Sequence, residues 1–106
     1  MKKNRKGKVY FKEMEAGIIE EIEDGYRFVY FDEFLKTGKP ISVNFPLTKK
    51  TYESKKLFVF FKSILPEGWY RDITGLKLKL DKDDDFGFLI KTCEDAIGAV
   101  SIKEME

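Results

Sequence analysis

The sequence predicts an α+β domain: a small, curved, mostly antiparallel β-sheet with short helices packed on it. Three observations carry this expectation. The first third contains three segments rich in aromatic and β-branched residues, "KVYF", "AGIIEEI" and "YRFVYF", separated by turn-compatible residues. The middle contains a compact apolar run without alternation, "LFVFFKSIL", followed by a proline-glycine turn. The last third places the acidic "DKDDD" ahead of the apolar "FGFLIKTC" and closes on the strand-like "AVSIK".

Taken in order, the first two strands are bounded by turn-compatible positions that include Gly17. The sharper signal is Asp24-Gly25, where two residues that tolerate positive φ predict a tight hairpin joining the second and third strands. In "YRFVYF", Tyr26, Phe28 and Tyr30 share one face, and Arg27, Val29 and Phe31 the other. Both faces are partly apolar, so both are expected to be covered. "DEFLKTGKP" makes one helical turn ended by Gly38, and "PISVNFPL" reads as an extended fourth strand that stops at Pro46. "LFVFFKSIL", without clean alternation, fits a buried helix or a strand, the helix being favoured. Pro66 suits the first position of a further helix, with Glu67 at its positive end and the body in "EGWYRDITGLKLKL". Gly68 and Gly75 weaken that helix, whereas "DKDDD" offers several caps for the next one.

A length of 106 residues implies one domain, residues 8–106, preceded by a basic flexible tail, residues 1–7. A formal net charge of +1 supplies no global field to draw nucleic acid or membrane, so no sequence-specific DNA binding is expected. The segment after the basic start is interrupted by charge too often to form a signal peptide or a membrane span. With a single cysteine, Cys93, no internal disulfide can form, and a cytoplasmic location is expected. Having no histidine, the chain has no histidine acid-base chemistry and no histidine metal ligand. Asp81, Asp83 and Asp85 alternate as in a calcium loop, but Phe86 and Thr92 stand where that loop needs glycine and glutamate. A helix-capping role explains those acids better. No phosphate-binding glycine pattern is present, and Cys93 ends an apolar segment as a packing thiol. The expectation is a non-enzyme without cofactor or metal.

One residue resists this bland reading. Trp69, the only tryptophan, lies in "SILPEGWYRDI", after a proline-glutamate-glycine turn and among Glu67, Arg71 and Asp72. Tryptophan is usually drawn into its own core, yet charged neighbours and an exposed turn leave little room for that here. Burying about 200 Å² of indole in a partner is worth up to roughly 5 kcal/mol, enough to dominate a modest interface.

Four segments together resemble the N-terminal subdomain of HipA-type serine/threonine kinases of bacterial toxin-antitoxin systems. They are "YFDEFL" (Tyr30 to Leu35), "PISVNFPL" (Pro40 to Leu47), "FFKSILPEG" (Phe60 to Gly68) and "DFGFLIKTCEDAIGAV" (Asp85 to Val100). The chain departs from the pattern at Asn44, where serine is common, at Ser63, where asparagine is, and at Cys93, which replaces a glycine. In those kinases a long catalytic region follows; here the sequence ends at Glu106.

A free-standing subdomain of this kind is similar to the HipS antitoxins of three-component HipBST systems. That resemblance implies a partner, a HipT-like serine/threonine kinase toxin, and a HipB-like helix-turn-helix DNA-binding protein in a ternary complex. It also implies that the tryptophan after the "PEG" turn points toward the kinase active site. Glu67, Gly68, Trp69, Tyr70 and Arg71 become the expected partner-binding residues. Two alternatives are a structural subunit that completes a truncated kinase without inhibiting it, and a fragment of a longer kinase.

Overall fold

The hydrophobic alternation of the first third builds an antiparallel meander of β1 (Lys6–Phe11), β2 (Met14–Ile22) and β3 (Gly25–Tyr30). The computed structural model describes residues 5–93 and 99–105. After β3 come α1 (Asp32–Leu35), β4 (Thr51–Ser54), α2 (Val59–Ser63), α3 (Gly68–Leu78), α4 (Asp85–Thr92) and β5 (Val100–Met105). β4 joins β3 at one edge and β5 joins β1 at the other, giving the antiparallel order β4-β3-β2-β1-β5. This is the α+β sheet-and-helix architecture expected. Among the described residues no helix is long and apolar enough to cross a membrane.

The inward face of the sheet carries Val9, Ile19, Phe28, Tyr30 and Ile102, all fully buried against Phe34, Phe45, Phe61, Phe86 and Phe88. Phe45 is the hub, with its ring centroid 5.0 Å from Phe28, 5.1 Å from Phe58, 5.2 Å from Tyr52 and 5.5 Å from Phe61. Such edge-on and tilted pairs match the ring quadrupoles and add to the burial itself. The expected cover for the opposite face is not found among the described residues. Lys8, Tyr10, Ile18, Glu20, Arg27 and Val29 are all half-exposed there, and Arg27 pairs with Glu53 at 3.0 Å.

Several local expectations change. The β1–β2 turn is Lys12-Glu13, with φ of 49° and 70°, whereas Gly17 lies inside β2. A two-residue turn between antiparallel strands favours positive φ at both positions, and here the strand pairing imposes it on residues that carry no turn signature. The second hairpin is where Asp24-Gly25 placed it, but its corner is Glu23-Asp24 and Gly25 opens β3.

"PISVNFPL" is not a strand. Ile41 and Phe45 are buried while Val43 and Asn44 face solvent, a spacing that suits a bend and not an alternating strand. The Tyr30 hydroxyl fixes that bend by donating to the Phe45 carbonyl and accepting from the Ile41 N–H at 3.1 Å. The fourth strand is "TYES" instead. Pro66 stands two residues ahead of α3 and does not begin it, with Glu67 in the N-cap position.

Residues 5–7, expected in the basic tail, belong to the folded domain instead. Lys6 and Gly7 pair in β1, and Arg5 anchors the chain before it. The Arg5 guanidinium grips the Glu21 carboxylate at 2.8 and 2.9 Å and the Asp84 carboxylate twice at 2.8 Å. Asp84 in turn caps α4 by accepting from the Gly87 N–H, so one cation ties strand β2 to a helix start. Met1–Asn4, the Glu94-Asp95 pair and Gly98 lie outside the described residues.

Candidate functional site

The "PEGW" segment owes its shape to Gly68. Its φ of +62° is a left-handed backbone that side-chain-bearing residues adopt at a cost, and Glu67 before it is extended, with φ −132° and ψ 164°. The chain therefore turns sharply out of the core after Leu65 and enters α3 with Trp69 on its outer surface. Trp69 is 72% exposed and Tyr70 59%, so neither ring serves this chain's own core. Glu67 is exposed as well, and its side chain makes no capping bond.

Arg71 behaves differently from the polar partner contact expected of it. Its guanidinium donates to the Lys82 carbonyl at 2.8 Å and to Asp85 Oδ1 at 2.7 Å, and it sits 4.3 Å from the centroid of the Phe88 ring. With its hydrogen bonds and its π contact used internally, Arg71 positions the helix. Gly75, the only buried residue of α3, lets the helix approach Phe88 so closely that a Cβ would stand 3.0 Å from its Cζ. Glu67, Gly68, Trp69 and Tyr70 thus share one exposed turn, whereas Arg71 turns inward to α4.

Sequence reading missed Ile73 and Leu76, which are 44% and 81% exposed. With Trp69 they follow the i, i+4, i+7 spacing of one helix face, and the signal was legible once Arg71 and Gly75 are seen to occupy the opposite side. Alongside runs a groove of about 240 Å³ lined by Arg71, Asp72, Gly75, Leu76, Leu80, Lys82 and Phe88. Of the charged side chains lining it, Arg71 is already paired with Asp85.

Nothing at this site assembles a nucleophile with a base. Cys93 is buried under α2, with Sγ 3.6 Å from the Ile64 carbonyl, and burial pushes its thiol pKa up, away from the reactive thiolate. Its φ of −98° needs no glycine, consistent with cysteine replacing one there. Among the described residues no cluster of three carboxylate or thiol side chains is arranged to hold a metal. The arrangement offers an aromatic surface on a braced turn, a feature suited to binding.

Comparison with known proteins follows the same outline. The family model described as "HipA N-terminal domain" matches residues 7–103. An uncharacterized protein of Haemophilus influenzae is 35% identical over 100 residues, which span 94% of this chain and 92% of that relative. A solved structure, "N-terminal domain of HipA toxin", is 30% identical and superposes with a TM-score of 0.78, covering 100% of this chain and 97% of its own.

Proposed function

The chain belongs to the HipA N-terminal domain family, and on that premise we propose that it is an antitoxin that binds and inhibits a HipT-type, short HipA-like serine/threonine kinase. In this reading the "PEGW" turn enters the kinase active site in the cytoplasm, with Trp69 filling a pocket there and Glu67 and Tyr70 setting register at the rim. A HipB-like DNA-binding protein completes the assembly, and the chain itself catalyses nothing and needs no cofactor. The observation that carries the reading is Trp69, 72% exposed on a turn held by Gly68 and braced through Arg71. A rigid aromatic presented to solvent loses little conformational freedom on docking, and so retains most of the gain from burial. That the family match covers the N-terminal domain and the Haemophilus relative has nearly the same span supports a role for this domain as its own protein.

Trp69→Ala separates binding from folding. It is expected to change the chain's own stability by less than about 1 kcal/mol while weakening kinase inhibition by at least roughly 30-fold. Denaturant melts paired with growth rescue of cells expressing the kinase measure both. Full neutralisation by the mutant would end the insertion mechanism. A wild-type chain that binds the kinase without reducing phosphoryl transfer would instead make it a structural subunit.

A further inference from the structure

The outward face of α3 carries more apolar surface than the Trp69 turn requires. Trp69, Ile73 and Leu76 form one stripe, exposed by 72, 44 and 81%, with Tyr70 at 59% on its flank. We propose that this stripe is a self-association surface: in the absence of a kinase, a second copy of the chain covers it, the two α3 helices pairing antiparallel about a two-fold axis. Only the clause naming the kinase rests on the function proposed above.

Two features select a second copy as the occupant. The first is the order of charge along α3, with exposed Glu67 at its start and exposed Lys77 and Lys79 at its end. Glu67 and Lys79 are equidistant in sequence from Ile73, and so are Trp69 and Lys77. A two-fold axis at Ile73 therefore sets each Glu67 level with the other copy's Lys79 along the helix axes, and each Lys77 level with the other copy's indole, so that opposite charges meet at both ends of a self-complementary pair. Antiparallel packing also sets the positive end of each helix dipole beside the negative end of the other.

The second feature is area. Covering Trp69, Tyr70, Ile73 and Leu76 on both copies removes on the order of 1,000 Å² in total, the threshold at which specific association begins. An interface of that size gives a weak, reversible dimer. Because Trp69 cannot be buried in two places, kinase binding and self-association exclude each other. Free antitoxin then stores its hot-spot residue under a second copy until the kinase competes for it.

Sedimentation equilibrium of the full chain alone tests the dimer. The wild type is expected to shift from one to two chain masses across the micromolar range. Leu76→Glu, at a position the fold leaves exposed, should weaken the dimer at least roughly tenfold without altering the melting curve. Glu67→Lys and Lys79→Glu should each weaken it, and the double reversal should restore it. A wild type that stays monomeric to near-millimolar concentration assigns the stripe to another protein and overturns the proposal. Undiminished dimerisation of Leu76→Glu overturns it too, as does a double reversal no tighter than either single change. The kinase assay is a separate reading: a monomer that inhibits removes only the dimer, and a dimer that fails to inhibit removes only the antitoxin role.

Discussion

Gly68 decides the site at the scale of a single residue, because its φ of +62° is what swings Trp69 away from the core. In the sequence the same glycine looks like a helix weakness, since a glycine letter carries no dihedral angle. Gly68→Ala is expected to cost about 1 to 2 kcal/mol, the strain of a left-handed backbone at a residue with a Cβ. Gly68→Asn should recover much of that loss, since asparagine visits this region more readily. Thermal melts of the three proteins check the order, and equal stability of alanine and glycine forms would mean the turn relaxes without strain.

At the scale of the element, α3 is held to the domain by its inner side alone, through Arg71 on Phe88 and Asp85 and through the close approach of Gly75. Its outer side is apolar, the inverse of an ordinary surface helix. Arg71→Ala is expected to speed amide exchange across Gly68–Leu78 by roughly tenfold while leaving β2 and β3 protected, because the guanidinium braces this one helix and no strand. Hydrogen-exchange mass spectrometry reads this directly. Uniform acceleration throughout the chain would show that α3 opens only with the whole fold. α4, by contrast, was legible in advance: "DKDDD" supplied a cap, and Asp84 is the residue that takes the role.

For the whole molecule, the long-range clamp of Arg5 on Glu21 and Asp84 links the start of the sheet to the last helix. The Arg5 hydrogen bond holds the Asp84 carboxyl below its ordinary value, outweighing the opposing effect of burial. A group whose pKa is lower in the folded state stabilises above its unfolded value, about 3.9 for aspartate, and loses that contribution as pH falls toward the folded value. Asp84→Asn keeps the helix cap but not the charge. It should cost about 1 kcal/mol at neutral pH, allowing for solvent screening of a partly exposed carboxylate. The gap between wild type and mutant should close below about pH 4. Melts from pH 7 to pH 2 test this, and a gap that stays constant would place the stabilisation elsewhere.

The sequence by itself determined the three strands of the first third, the hairpin joining the second to the third, the capped α4 and the closing strand, because periodicity and turn chemistry are local properties. It also removed histidine chemistry outright and set Trp69 among charges that leave it little room in the core. Tertiary structure decided the rest. Ile41 and Phe45 became anchors of a bend because Tyr30 bridges them, and Arg5 left the supposed tail because Asp84, far along the chain, was waiting as its partner. Arg71 turned inward for the same reason, drawn by Asp85 and the Phe88 ring. Local pattern states which side chains share a face; only packing between distant segments settles which face is spent within the fold and which is left for a partner.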